Sequence, residues 1–526
     1  MRFLEIFFGL LALIDLSSAQ GAPWTEEETS IIKKKILELC ENPSKVRFWF
    51  KQIYPDYTYN AQTEPNCRKV LRLGFHDCLT YENPTDGAAN GCDGCLNPDG
   101  MGINMFDDLG VTKNSEKGPN VDRTNNNGLT YTADILEEIY TNKDFPGSVD
   151  SLAQSMKESG KSRADLWAFA TLVAAQYGID NNNLACQGTP RDDCGVLEFG
   201  KEGCEVPWPS VPKFRTGRTD CVPPADAEKP WHTSMDNHEI HPRPHGNGPE
   251  TVDFYKDNFG LTAREAIALQ EGSHSFAKFN AKVSYFQYEW TRAQGNLFNN
   301  QVMKHLAERP QYFSNCQSWK TGKKDGFYLV GDYLGQAPNT TWRILYRRST
   351  ENGGPFQWHH IYYRCKATNV CSTINEDQSR ADSKLPAVFN RAEPSAVEGC
   401  CDDLAEGEYC KPIEDCERWI QNDETAMNSE VGFYLHFETD EDGKPYGCDG
   451  FDEKWLTGKK RSVDPVCGKE EYAPEGDPLY QIVEDFADSN EAMMIDFVPA
   501  IEKMIENGYT GDSMTEIPES WWFNVY

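Results

Sequence analysis

Leu71-Arg72-Leu73-Gly74-Phe75-His76-Asp77-Cys78 is the stretch from which the rest of the chain can be read. Arg72 and His76 stand four residues apart in a segment of helical character, so a guanidinium and an imidazole share one helix face. A neutral imidazole moves a proton from one oxygen to another, and a fixed cation stabilises a departing oxyanion. Heterolytic cleavage of a peroxide needs both services. A second candidate is His274, in the segment LTAREAIALQEGSHSFAK at 261–278, whose imidazole can serve as a metal ligand. Thr262 and Glu265 form a capping-box pattern there, which puts His274 near the C-terminal end of its helix.

Outward from these two segments the pattern is mostly helical. Thr25-Glu26-Glu27-Glu28 followed by Ile31, Ile32, Ile36 and Leu37 predicts a helix within 25–52, and a second helix is expected from about 67 to 79. Gly, Asn, Asp and Pro mark 83–128 as a long loop region. Helical patterns return at 132–141 and 149–177, and the apolar run from Ala164 to Ala175 marks a buried central helix. Residues 180–250 read as irregular. Aromatic and β-branched residues at Tyr328–Leu334, Thr341–Arg347 and Trp358–Cys365 predict a small antiparallel sheet. Cysteines 316, 365, 371, 400, 401, 410 and 416, with 448 just beyond, make this block a disulfide-rich insertion. Two helices, at 478–488 and 490–507, close the domain.

The first residues, Met-Arg and then an apolar run from Phe3 to Leu16 before Ser17-Ser18-Ala19, have the form of a secretory signal peptide cleaved after Ala19. The run is too short for a membrane span, which takes about 20 apolar residues. Eighteen cysteines fit an oxidising compartment, and Asn339-Thr340-Thr341 is a glycosylation sequon. With 83 acidic against 51 basic residues the net charge is −32, which argues against nucleic acid or an anionic membrane as partner. The boundaries expected are a signal peptide at 1–19, a catalytic domain over 20–309 and 426–526, and the insertion at 310–425.

Arg72, Phe75, His76 and Asp77, then Gly91-Cys92-Asp93-Gly94-Cys95, then the Gly272-Ser273-His274 helix, occur in an order that resembles the plant, fungal and bacterial haem peroxidases of the peroxidase-catalase superfamily. Ala164-Asp165-Leu166, Arg215-Thr216-Gly217-Arg218-Thr219-Asp220 and the final helices extend the resemblance over most of the chain. It implies a mainly α fold in which two helical halves sandwich haem b. His76 is then the distal acid and base, Arg72 the distal cation, and Phe75 the aromatic wall over the haem edge. Asn126 is the amide that fixes the imidazole's tautomer, and His274 is the axial ligand. Trp290, sixteen residues after His274, matches the tryptophan of intracellular members, whereas Phe75 matches secreted ones. The implied partners are hydrogen peroxide and a small-molecule electron donor.

Departures from the family accompany these matches. Glu430 stands where the family supplies a proximal aspartate, with Asp440 as a less favoured candidate. Asp77, the Gly91 carbonyl and Asp93 resemble calcium ligands. Cys95 replaces a serine ligand there, and a Cys78–Cys92 or Cys78–Cys95 disulfide is the other way to hold that loop. Ser275 and Thr291 resemble proximal cation ligands, but Asn299 replaces an aspartate, so binding there is expected to be weak or absent. His232, His238, His241 and His245 lie among prolines without helical ligand spacing and read as a solvated loop. Two rival readings remain: a haem carrier of the same fold that has lost turnover, and an oxidative enzyme specialised for cross-linking or light emission.

Overall fold

Side-chain caps start several of the helices that carry the molecule. The computed structural model describes residues 21–41, 66–78, 91–97, 126, 129–145, 148, 150–187, 204–233, 242, 246–277, 290–291, 295–307, 340–345, 357–365, 416–420, 426–439, 445–447, 467–509 and 513–523. Helix α1 (Glu26–Glu41) opens where Thr25 Oγ1 accepts the Glu28 N–H at 3.2 Å and Glu28 takes the Thr25 N–H at 2.8 Å. Helices α2 (Cys67–Cys78) and α3 (Thr130–Thr141) follow, close to their expected bounds.

The central helix, α4 (Arg163–Cys186), differs from expectation. Ser162 accepts the Asp165 N–H at 3.0 Å and sets its start, so the stretch before 162 forms turns instead of helix, and the far end continues to Cys186. Nearly every residue of α4 from Arg163 to Gln176 is buried, and α1, α2 and α3 all pack around it.

The irregular reading of 180–250 also fails at its far end, where α5 (Gly248–Phe259) begins. Asn247 accepts the Glu250 N–H at 3.0 Å, Pro249 occupies the first turn, and Gly260 ends the helix at φ 63°. Cap, proline and terminal glycine were all present in the sequence, hidden in a Pro- and Gly-rich neighbourhood. Helix α6 (Ala263–Ser275) has the capping box that its sequence predicts. After the short α7 (Gln301–Leu306), a three-stranded antiparallel sheet follows the order β2 (Thr340–Leu345), β3 (Gln357–Cys365), β4 (Cys416–Ile420). Thr340 stands opposite Tyr362, and Cys365 opposite Cys416. The strand expected at 328–334 and the cysteines 316, 371, 400, 401, 410 and 448 lie outside the described residues, as do residues 1–20 and Asn339.

The short helix α8 (Asn428–Val431) returns the chain to the helical body, and α9 (Leu479–Asp488) and α10 (Asn490–Ile505) close it, α10 lying along α6. Minor strands β1 (Phe214–Thr216) and β5 (Thr515–Ile517) pair antiparallel. Four disulfides join described residues: Cys40–Cys67, Cys78–Cys92, Cys95–Cys221 and Cys186–Cys204. No helix among the described residues is long and apolar enough to cross a membrane.

One glycine decides how closely α2 can lie on α4. A Cβ at Gly74 would stand 1.6 Å from Thr171 Oγ1, so any larger residue pushes apart the helix that carries Arg72 and His76 and its support. Gly74→Ala is expected to lower the unfolding free energy by about 1–3 kcal/mol, the usual cost of overpacking. Urea unfolding measures it, and adding Thr171→Ala should recover part of the loss.

Candidate active site

Helix α2 carries Arg72, Phe75 and His76 side by side, with the Phe75 and His76 rings 5.8 Å apart. Arg72 and Phe75 are partly exposed, while the neighbouring apolar residues Val70, Leu71 and Leu73 are buried. His76 is buried and hydrogen-bonded at both ring nitrogens. Asn126 Nδ2 donates to the Asn97 carbonyl at 2.8 Å, which orients the amide so that Oδ1 faces His76 Nδ1, also at 2.8 Å. An amide oxygen only accepts, so Nδ1 carries the proton. Nε2 is left with its lone pair, and it accepts the Arg72 Nε–H at 3.3 Å. The imidazole is therefore the neutral tautomer with its basic nitrogen toward the guanidinium. Desolvation of its guanidinium by the surrounding protein, although part of the side chain stays exposed, lowers the Arg72 pKa to about 10, still high enough to keep the cation at neutral pH.

Helix α6 brings His274 to a second cluster. The His274 and Trp290 rings stack with centroids 4.2 Å apart and planes 18° from parallel. His274 Nδ1 stands 2.5 Å from Glu430 Oε1, and Trp290 Nε1 donates to the same oxygen. Glu430 is fully buried, and its Oε2 accepts the Met427 N–H at 2.6 Å, the reach-back of an acid in the first turn of α8. Nε2 of His274 is thus the nitrogen free of Glu430. Asp440 lies outside the described residues.

Glu271, which the sequence reading passed over, belongs to this cluster. It is fully buried one helical turn before His274, and ligand atoms of Glu271, His274 and Glu430 lie within 4.8 Å of one another. Burial, and then the Glu430 charge, pushes its pKa well above the usual carboxylate range. Gln270 Nε2 donates to Glu271 Oε1 at 3.2 Å, and Tyr255 donates its hydroxyl to Gln270 Oε1 at 3.1 Å. The Tyr255 ring lies 6.3 Å from Phe75. The signal was a carboxyl at i−3 from His274 in a helix otherwise apolar on that side.

The loop after α2 gathers Asp77, Gly91, Asp93 and Cys95. Asp77 Oδ1 accepts the N–H groups of Asp93, Gly94 and Cys95 at 3.2, 2.9 and 3.3 Å. Burial raises the Asp93 pKa to about 7, and burial followed by the Asp93 charge pushes Asp77 well up. Cys78 bonds to Cys92, which excludes the Cys78–Cys95 alternative, and Cys95 bonds to Cys221. Arg163 Nε donates to the Gly94 carbonyl at 2.7 Å. Elsewhere, Ser275 Oγ donates to the Gly272 carbonyl at 2.6 Å and accepts the Asn299 N–H at 3.1 Å, while Thr291 donates to the Ser275 carbonyl at 3.4 Å. His232 follows the buried Trp231, with ring centroids 4.5 Å apart, and His238, His241 and His245 lie outside the described residues.

A family model described as peroxidase matches residues 44–327, more than half of the chain. The chain belongs to the peroxidase family. It is a haem-dependent peroxidase by that membership, and the matched span of this peroxidase contains Arg72, His76, Asn126, His274 and Trp290 but ends before Glu430. No curated protein matches the chain.

The Cys95–Cys221 bridge of this peroxidase spans 126 residues of sequence and ties the loop after α2 to the segment after β1. Replacing both cysteines by alanine is expected to cost about 2–5 kcal/mol of stability. Denaturant unfolding of the double variant against wild type measures it.

Proposed function

We propose that the chain is a secreted haem peroxidase of the plant, fungal and bacterial type that reduces hydrogen peroxide to water while a small-molecule donor gives up two electrons, one at a time. The observation that carries the reading is the pairing of a tautomer-fixed His76 beside Arg72 on α2 with a His274 on α6 whose Nδ1 faces a buried carboxylate. Haem b fits this donor set. Glu430 occupies His274 Nδ1 and leaves Nε2 free, so His274 would hold the haem iron through Nε2, and Arg72 and Phe75 would face the bound group from α2. In this reading α2 and α6 belong to the two halves that sandwich the haem. The catalytic domain then runs over 20–309 and 426–526, with 310–425 as an insertion, and the disulfides support an oxidising compartment.

Haem, when bound, supplies the redox-active iron at which the peroxide O–O bond is broken. His76 Nε2 takes the proton from one peroxide oxygen and gives it to the other, so that the departing oxygen leaves as water. Asn126 keeps Nδ1 protonated and Nε2 basic through that exchange. Arg72 stabilises the charge that develops on the oxygen as the bond lengthens. Phe75 closes the wall beside it. On the other side Glu430 orients both the His274 ring and the Trp290 indole, and the indole stacked on His274 is the residue proposed to give up an electron. Trp290 with Phe75 combines features of the intracellular and secreted classes. Asp77, the Gly91 carbonyl and Asp93 offer oxygen donors suited to calcium, and a hard divalent cation would relieve the like charge of the two buried acids. Ser275 and Thr291 offer only hydroxyls already engaged within the protein. The intact Arg72–His76 pair opposes the carrier that has lost turnover.

His76→Ala is expected to slow the reaction with peroxide by about 10² to 10⁴ while the haem absorption band persists. Stopped-flow absorption measures the rate, and near-normal rates would remove His76 from its role. His274→Ala should lose the haem or the spectrum of an imidazole-ligated iron. Electron paramagnetic resonance after peroxide addresses Trp290: a protein-radical signal present in wild type and lost in Trp290→Phe is expected, and identical signals in both would leave Trp290 a packing residue.

A further inference from the structure

A phenol and a carboxylate meet at the surface where Tyr472 donates its hydroxyl to Asp253 Oδ1 at 2.7 Å. The Tyr472 ring is partly exposed, and it packs against the same hydrophobic core as Tyr434 and Trp290. The bond to Asp253 is the first cause that holds the Tyr472 pKa up at about 12, so the phenol keeps its proton at neutral pH. A phenol that loses an electron becomes a strong acid. Asp253 stands at hydrogen-bond distance to take that proton.

An unbroken run of bonds joins this phenol to the His274 cluster. Trp290 Nε1 donates to Glu430 Oε1, and the chain leads from Glu430 to Tyr434 four residues on. The Tyr434 carbonyl accepts the Glu470 N–H at 2.9 Å, and Glu470 Oε1 accepts the Tyr472 N–H, also at 2.9 Å. Two other tyrosines lie close to the run. Lys469 Nζ stands 5.9 Å from the centre of the Tyr434 ring and 4.8 Å from that of Tyr480, and its positive charge opposes removal of an electron from either. Tyr472 has the opposite setting. The negative charges of Asp253, Glu475 and Asp257 act on it, and they favour loss of an electron.

We propose that Tyr472 is a second site of donor oxidation, which serves cationic one-electron donors too large to approach the haem. The inference rests on the reading of Trp290 as the residue that gives up an electron. Oxidised Trp290 takes one electron from Tyr472, while the Tyr472 O–H bond breaks and its proton passes to Asp253 Oδ1. A donor held at the acidic surface then gives one electron to the phenoxyl oxygen. The proton returns from Asp253, the O–H bond re-forms, and the donor leaves oxidised by one electron. Two such cycles use the two oxidising equivalents of one peroxide.

The test uses the haem-loaded full-length protein treated with peroxide. A nitroso spin trap added without donor, followed by tandem mass spectrometry, is expected to place an adduct on Tyr472 in wild type. The more open Tyr446, 52% exposed, is the comparison. The Tyr472 adduct should vanish in Trp290→Phe and in Asp253→Asn, whose amide accepts a hydrogen bond but is a poor acceptor of a proton. A ferrocene coupled to amino-dextran then serves as the large cationic donor, with free aminomethylferrocene as the small one. Tyr472→Phe and Asp253→Asn are each expected to lower the ratio of large-donor to small-donor oxidation, and Asp257→Asn or added salt should raise KM for the large donor. Equal trapping at Tyr472 and Tyr446, an adduct that persists in Trp290→Phe, or a wild-type ratio in both Tyr472→Phe and Asp253→Asn overturns the proposal. A wild-type haem absorption band that does not respond to peroxide would instead overturn the proposed peroxide reaction, a separate failure that the same sample reveals.

Discussion

The buried ion pair of Asp165 and Arg218 holds the two ends of the molecule in register. Both side chains are wholly buried and meet at 2.9 Å. Asp165 stands in the first turn of α4 and also accepts the N–H groups of Gly217 and Arg218, at 2.9 and 3.2 Å. Arg218 in turn donates from Nε and Nη2 to the Ile505 carbonyl, at 2.9 and 2.7 Å, at the C-terminal end of α10. Removing one partner of such a pair costs about 3–5 kcal/mol, because the other charge is left buried and alone. The pair therefore fixes the start of the central helix, the segment after β1 and the end of the last helix together. Helix α2 lies on α4 and α6 lies along α10, so both histidine clusters inherit their positions from this junction.

Local sequence carried the Arg72–His76 pair well. Arg72 and His76 lie within one turn of a helix, and that spacing alone placed both side chains on one face. The α6 cap was equally legible, because Thr262 and Glu265 are three residues apart. Legibility fell where local rules competed. The apolar pattern from 149 onward looked helical, yet Ser162 is a cap and not a continuation. Gly248 and Pro249 resemble loop composition and instead begin α5. The pairing of Cys95 with Cys221 was out of reach, since nothing at either residue encodes the other. Glu271 was overlooked for a different reason. A carboxyl in an apolar helix becomes informative only when its neighbours are known, and Glu430 comes from a remote segment.

Glu430 joins the start of its own helix to the His274–Trp290 cluster through its two oxygens. A glutamate at the first turn of α8 reaches back to the Met427 amide with one oxygen while the other faces His274 and Trp290. The backbone amide holds the carboxylate against the added freedom of its extra methylene. Close packing sets the position of α8 as well: a Cβ at Gly248 would stand 2.0 Å from the Gly432 carbonyl oxygen, so α5 and α8 meet backbone to backbone. The two glycines set the depth to which the carboxylate enters the cluster.

Trp290 and Glu430 are 140 residues apart in sequence, with the three-stranded sheet between them. A ribosome adding about 5–20 residues per second takes roughly 7–30 s to cross that interval. During that time the imidazole of His274 has emerged without the carboxylate that orients it. Synthesis order therefore imposes a delay between the appearance of His274 and Trp290 and that of the carboxylate they share, which is made only after the intervening sheet segment.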